Sequence, residues 1–287
     1  MAAARLSRTA ILVPPCAREA CEVFPVPNAS IDTRLPDTAH AALERELHRV
    51  ARLHAERRAD PDLARALARV SSWQASRLGA TYADLAAQPR YADAIAFFET
   101  DLYGAADFTQ RDADLARAAP VMARTLPDRV IASVAKAMEL NALSQDLDRL
   151  LLAQLPRGHS PFTVAEYCGA YRATDNRPAR ERQIQLIAEF GATLDFYVKK
   201  PLIHAALVMM RHPARAAGLG VLQEFLERGF SAFRKMHGAA EFLATIDWRE
   251  RALMDAIFAG ETAPFRDPLE PAGAAAPVVA RPVAPVG

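Results

Sequence analysis

The sequence predicts an all-α protein, a single bundle of about nine helices, and three observations support this fold class. Glycine is scarce, with 12 in 287 residues, and most of the 20 prolines stand near segment boundaries, as suits long helices. Apolar residues recur at helical spacing from about residue 36 to residue 261. No period of 20 to 50 residues is present, so the sequence does not indicate a solenoid.

The first two helices have recognisable start signals. Asp37 or Thr38 is the expected N-cap of the first helix, which carries one apolar stripe formed by Leu43, Leu47, Val50 and Leu53. Asp60 is the expected cap of the second helix, with Pro61 in its first turn. This second helix is predicted to run, with interruptions, to about Ala87.

The clearest amphipathic segment follows Leu126. Its predicted buried stripe consists of Val130, Val134, Ala137, Leu140, Leu143, Leu147 and Leu151. A shorter helix should then begin with Ser160 as its cap and Pro161 at its first position.

The next segment is long and apolar, and Pro201 should kink or divide it. The piece after this proline, "LIHAALVMM", is apolar on nearly all sides, so we expect it at the centre of the fold. Two further amphipathic helices are predicted, one ending at Gly238 and one ending at Gly260.

The two ends of the chain differ from the middle. Residues 1–35 are proline-punctuated and aperiodic, and they predict an irregular N-terminal arm. Residues 262–287 are rich in Ala, Pro and Val with little charge, and they predict a disordered tail, with a strand packed on the body as the alternative. Residues 36–261 then form one helical domain, or two helical subdomains that divide between residues 155 and 176.

Charge and composition argue against several classes of function. Lysine plus arginine (35) nearly balance aspartate plus glutamate (34), so no overall field attracts nucleic acid, and no nucleic-acid partner is expected. No stretch reaches the roughly 20 apolar residues of a membrane span, and the start of the chain lacks a signal peptide, so the predicted location is the cytoplasm. Three cysteines are too few for a disulfide scaffold, and the spacing of Cys16 and Cys21 does not indicate a metal site.

Residues 96–117, "AFFETDLYGAADFTQRDADLAR", concentrate aromatic and charged side chains. Wound onto helices, they predict a buried helix end, a stop at Gly104, and a restart in which Thr109 and Asp112 form a capping box. Most of the charges then have structural roles. The residues left as ligand-binding candidates are Tyr103, Arg111, Asp112 and Arg117.

The same stretch, with "FFETDLYG" followed by "DFTQRDADLARAAPVM" and "LP", resembles the FFLEELY-motif proteins, a bacterial family. Phe97, Phe98, Leu102 and Tyr103 match the motif and Asp101 matches conservatively, whereas Glu99 and Thr100 depart from it. The resemblance runs from about Tyr82 to Phe258. It implies an all-helical fold and brings no activity that could be transferred.

Searches for known chemical motifs leave few candidates. The sequence has no Gly-rich phosphate loop, no zinc-protease motif and no paired Glu-x-x-His of a di-iron bundle, so the cofactor stays unknown and no metal is expected. His204 lies within an apolar segment and is either a hydrogen-bonded core histidine or a functional group. Cys168 has tyrosines nearby but no histidine close in sequence, which favours a buried structural thiol.

Two hypotheses of function follow. The first is a non-catalytic protein that binds a protein partner or a second copy of itself, which an exposed apolar groove or a two-fold helix interface would support. The alternative is a small-molecule-binding or cofactor-binding protein, or an enzyme, with a pocket formed near His204 and the group Tyr103, Arg111 and Asp112.

Overall fold

The computed structural model describes residues 38–102, 108–156 and 162–269, and within these ranges the chain forms helices and no β-strand. The all-α prediction is therefore confirmed. The described residues contain twelve α-helices instead of about nine, because short helices of four to six residues separate several of the longer ones. The α-helices are α1 (Ala39–Ala59), α2 (Pro61–Thr81), α3 (Ala83–Ala86), α4 (Ala92–Phe97), α5 (Thr109–Thr125), α6 (Asp128–Gln154), α7 (Val164–Ala173), α8 (Arg177–Val198), α9 (Pro201–Met209), α10 (Arg211–Ala216), α11 (Gly220–Lys235) and α12 (Ala240–Ala259).

The first two helices begin as the sequence predicts. The Thr38 hydroxyl accepts a hydrogen bond from the Ala41 amide at 3.2 Å. Asp60 accepts hydrogen bonds from the amides of Asp62 and Leu63 at 3.0 and 2.9 Å, and Pro61 occupies the first position of α2. These caps satisfy amides that have no partner inside their own helix.

Helix α6 lies at the centre of the fold and packs against α1, α2, α5, α7 and α8. Of the predicted stripe, only Leu147 and Leu151 are fully buried. The other buried apolar residues of the helix are Ile131, Ala135, Met138 and Ala142. Because neighbouring helices cover α6 from several directions, its buried surface is wider than one stripe. It also lies on a different side of the helix from most of the predicted stripe.

Local signals place other helix boundaries less accurately. Helix α7 begins at Val164 with a capping box between Thr163 and Glu166, whereas the predicted cap and first residue, Ser160 and Pro161, lie outside the described residues. The division at Pro201 is confirmed, since α8 ends at Val198 and α9 begins at the proline. Gly260 ends α12 in the left-handed conformation, with φ of 104°.

The stretch that carries the family resemblance forms α4 and a π-helical segment, Phe98–Leu102. Phe97 and Phe98 are both buried, and they face different neighbours. The ring of Phe97 lies 5.4 Å from that of Phe225 on α11, and the ring of Phe98 lies 5.9 Å from that of Phe242 on α12. At Gly229 of α11, a Cβ atom would lie 2.9 Å from the Phe97 ring. Glycine at this position therefore permits α4 and α11 to approach each other closely.

The packed part of the chain continues past residue 261. Phe265 is buried, and its ring lies 6.1 Å from the rings of both Trp73 and Tyr167. The rest of the predicted tail, residues 270–287, and the predicted arm lie outside the described residues. Within the described ranges, no helix is long and apolar enough to cross a membrane.

Candidate functional site

Two of the predicted site residues, Arg111 and Asp112, are buried in the first turn of α5. Asp112 Oδ1 accepts a hydrogen bond from Arg111 Nε at 2.9 Å, and its Oδ2 accepts one from Asn141 Nδ2 at 2.8 Å. His54 Nε2 lies 2.9 Å from the same Oδ2. The predicted capping box of Thr109 and Asp112 is therefore wrong, because Asp112 is committed to residues of α1 and α6.

This arrangement sets the charge of Asp112. Burial favours the neutral acid, but the hydrogen bond to His54, the charge of Arg111 and the hydrogen bond from Asn141 together hold the pKa of Asp112 below its usual value. The second ring nitrogen of His54, Nδ1, lies 3.2 Å from the hydroxyl oxygen of Thr109. One buried carboxylate thus ties α1, α5 and α6 together.

Arg111 has no free hydrogen-bonding nitrogen. Its Nε and Nη2 contact Asp112, and its Nη1 donates to the carbonyl oxygen of Asp101 at 3.0 Å. Its guanidinium also lies 4.4 Å from the centre of the Phe108 ring and 4.7 Å from that of Phe225. Arg111 therefore connects the end of the π-helical segment to the start of α5.

Arg111 and Asp112 line a cavity of about 110 Å³ together with Asn141. The rest of its wall is mostly apolar and comes from the π-helical segment and from α6, α8 and α11. Ser144, the fourth polar residue of the wall, accepts a hydrogen bond from Gln183 Nε2 at 2.8 Å. Because all four polar residues already have partners within the chain, the cavity mainly offers apolar contact.

Arg117 takes part in a separate network. Its Nη2 donates to Asp114 Oδ1 at 2.7 Å and to the carbonyl oxygen of Gly218 at 2.6 Å. The fully buried Asp114 also accepts from Gln110 Nε2 at 2.6 Å and from the Leu222 amide at 3.3 Å. Arg117 and Asp114 thus attach the start of α11 to α5. Tyr103, the remaining member of the predicted group, lies outside the described residues.

His204 is not in the core. It is exposed on α9, and it lines a surface groove with Asp195, Lys199 and His237, apart from the cavity at Arg111 and Asp112. The prediction that "LIHAALVMM" lies at the centre of the fold is wrong, since α9 has no buried residue. An apolar sequence shows that its side chains favour leaving water, but it does not show which surface covers them.

Exposed apolar side chains are concentrated around α9. Of the eleven large exposed hydrophobic residues in the described ranges, seven lie between residues 196 and 226. They are Phe196, Leu202, Val208, Met209, Met210, Val221 and Leu226. We call the four that lie on α9 or directly at its end, Leu202, Val208, Met209 and Met210, the α9 face. Leu202 is 85% exposed and Met209 is 75% exposed. Inward contacts of α9 are made by the half-buried Ile203 and Leu207, and Gln223 Nε2 donates to the Leu207 carbonyl at 2.7 Å.

A second charge pair, whose side chains are 14% and 20% exposed, joins α2 to α12, and no sequence pattern indicates it. Arg77 donates to both carboxylate oxygens of Glu250, at 2.7 and 3.1 Å, and the Tyr82 hydroxyl donates to Glu250 Oε1 at 2.8 Å. Burial opposes ionisation of Glu250, but the charge and hydrogen bonds of Arg77, with the hydrogen bond from Tyr82, hold its pKa below the usual value. The two residues are 173 positions apart, so no local pattern indicates the pair.

Cys168 is fully buried on α7, and burial raises the pKa of its thiol to about 11 despite the nearby charges of Arg172 and Arg77. The thiolate is the reactive form, so we expect a thiol reagent such as DTNB to label Cys168 only when the protein unfolds. A Cys16→Ser/Cys21→Ser variant isolates this thiol for the measurement. Rapid labelling of that variant under native conditions would contradict the expectation.

The described residues contain no group of three or more His, Cys, Asp or Glu side chains placed to hold a metal ion. A family model described as a domain of unknown function (DUF8198) matches residues 53–264, more than half of the 287 residues. No curated protein and no solved structure matches the chain.

Proposed function

Since the chain belongs to the DUF8198 family, a domain of unknown function, we propose a function from its geometry: it is a non-catalytic protein that self-associates through the α9 face. The observation that carries this proposal is a helix whose apolar side chains lie in water. Apolar patches of this kind on soluble proteins usually mark interaction surfaces. Leu202 and Met209, the most exposed members, would gain most from being covered.

The charges around the α9 face favour a second copy as the occupant. Ion pairs flank it, with Lys199 Nζ 2.6 Å from Asp195 Oδ2 and Arg211 Nε 2.7 Å from Glu227 Oε1. The rim therefore carries both signs close together, and the whole chain has a net charge of only +1. A surface with mixed signs can meet itself across a two-fold axis without strong repulsion, and two-fold dimers are the commonest assemblies.

The alternative function, a small-molecule or cofactor site formed by His204 with Tyr103, Arg111 and Asp112, has less support. His204 lines a different concavity from Arg111 and Asp112. The hydrogen-bonding groups of Arg111 and Asp112 are used within the chain.

We expect the wild-type protein to form a dimer in sedimentation-velocity experiments over a range of concentrations. Leu202→Asp should raise the dissociation constant by about tenfold or more, because each two-fold interface then buries two unpaired carboxylates. Val121→Asp is the matched control, since Val121 is 64% exposed on α5 and is not one of the residues of the α9 face. Circular dichroism should show that both variants are folded.

Two results would overturn this proposal. One is a wild-type protein that stays monomeric at every concentration, which would leave the α9 face without a second copy. The other is a Val121→Asp variant that dissociates as readily as Leu202→Asp, which would place the interface elsewhere.

A further inference from the structure

Arg180, near the start of α8, has a buried guanidinium that is only partly hydrogen-bonded. The residue is 4% exposed. Its Nη1 donates to Gln183 Oε1 at 3.3 Å, whereas its Nε and Nη2 are buried without a hydrogen-bond partner among the described residues. The guanidinium carbon lies 4.2 Å from the centre of the Tyr171 ring, so the ring packs against the charged group.

The group lines a cavity of about 70 Å³ between α2, α7, α8 and α12. The other arginine of this cavity, Arg77, is neutralised by its two hydrogen bonds to Glu250. Asp148 is the other nearby acid. Burial raises its pKa even though the charge of Arg180 and a hydrogen bond from Gln74 act in the opposite direction. The charges of Asp148 and Glu250 act on Arg180, but in the described part of the chain no carboxylate accepts a hydrogen bond from its guanidinium.

A buried guanidinium with unused N–H groups is costly, because it has lost water without gaining acceptors. The two free nitrogens, Nε and Nη2, form one edge of the guanidinium fork. That edge matches a planar carboxylate, which accepts two parallel N–H···O bonds from it. A neutral molecule or a single water cannot supply both acceptors together with a compensating charge.

The rest of the cavity wall indicates which chemical group the ligand carries besides its carboxylate. Beyond Arg180 it is lined mainly by aliphatic and aromatic side chains, including Ile184, Leu253 and Tyr171. One water needs roughly 10–15 Å³ of cavity volume, so a cavity of about 70 Å³ has room for several waters or for a short aliphatic chain. Gln74 and Gln183 line both this cavity and a larger cleft of about 540 Å³, so the cleft adjoins the cavity.

We infer that this cavity is a binding site for a small aliphatic monocarboxylate, held by two hydrogen bonds from Nε and Nη2 of Arg180 with its chain against the apolar wall. The site is distinct from the α9 face and does not depend on self-association.

Thermal unfolding of the full-length chain with propionate tests the inference. Propionate should raise the melting temperature in a concentration-dependent way, because a ligand that binds only the folded state stabilises it. Propionamide, which has the same shape without the charge, should give no rise, and sodium chloride at equal ionic strength should give none either.

Three variants locate the effect. Arg180→Met should abolish the propionate response, and Arg180→Lys should weaken propionate binding by about tenfold or more, since lysine keeps the charge but lacks the fork. Arg182→Met is the matched control on the same helix, because Arg182 pairs with Glu139 near the surface, and it should respond as the wild type does. Arg180→Met should fold, since replacing an unpaired buried cation by an apolar side chain is often neutral or stabilising.

The inference is overturned if propionate and propionamide shift the wild-type melting temperature equally or not at all, which would assign the cavity to water. It is also overturned if Arg180→Lys and Arg180→Met respond to propionate as the wild type does. The comparison of propionate with propionamide needs no variant. It therefore tests carboxylate binding even if Arg180→Met fails to fold.

Discussion

Replacing Asp112 by alanine is expected to lower the free energy of unfolding by about 3–5 kcal/mol, the usual cost of breaking a buried ion pair by removing one partner. The side chain of Asp112 is 3% exposed, and that of Arg111 is 9% exposed. Without the carboxylate, the Arg111 guanidinium keeps the Asp101 carbonyl as its remaining hydrogen-bond acceptor. His54 and Asn141 lose an acceptor at the same time.

Urea unfolding of the purified variants measures this effect. Asp112→Asn should cost less than Asp112→Ala, because the amide oxygen still accepts a hydrogen bond although the charge is lost. Glu44→Ala is the control, since the side chain of Glu44 is 77% exposed and its removal should change stability by no more than about 0.5 kcal/mol. If Asp112→Ala costs no more than Glu44→Ala, the buried network does not stabilise the fold.

Acid titration gives a second readout of the same network. The folded-state pKa of Asp112 lies below the ordinary value of 3.8, so its contribution is fully present above that pH and is lost as the pH falls through the folded pKa. The wild-type protein should therefore lose stability over this acidic range. Asp112→Ala should lose less over the same range, because it no longer has this carboxyl to protonate.

Local sequence rules predict the features of this fold that depend on neighbours in the chain. Thr38 and Asp60 cap helices as expected, because a capping side chain bonds to amides two or three residues away. The same rule fails at Asp112. The spacing from Thr109 fits a capping box, but the bonds to His54 and Asn141, 58 and 29 positions away, take the carboxylate instead.

Apolar periodicity has a comparable limit. It predicts one stripe along α4 and its ends, formed by Tyr91, Ile95, Phe98 and Leu102, of which the first three are buried and Leu102 is half-buried. For α9 the sequence is apolar on nearly every side, so periodicity selects no face, and burial depends on what lies opposite. Arg180 shows the reverse case. A charged residue in a polar segment predicts exposure, and only the packing of α2, α7 and α12 around it produces burial.

The pair of Arg77 and Glu250 should show strong coupling in a double-mutant cycle. Arg77→Met leaves a mostly buried carboxylate with the Tyr82 hydroxyl as its remaining hydrogen-bond donor, and we expect a loss of about 2–3 kcal/mol, somewhat less than for a fully buried pair. Glu250→Gln keeps an acceptor for Tyr82 but leaves Arg77 without a counter-charge. The double variant Arg77→Met/Glu250→Gln buries no unpaired charge, so it should lose clearly less than the sum of the two single losses.

Unfolding free energies of the four proteins give the coupling energy directly. The matched control is the cycle on Arg251 and Asp247, an ion pair within α12 whose side chains are 41% and 33% exposed. That pair should couple by less than about 0.5 kcal/mol, because water and salt screen it. Additive losses at Arg77 and Glu250, within about 0.5 kcal/mol, would mean that the pair is solvated. A large coupling would mean that Arg77 and Glu250 neutralise each other in a part of the cavity wall that water screens little.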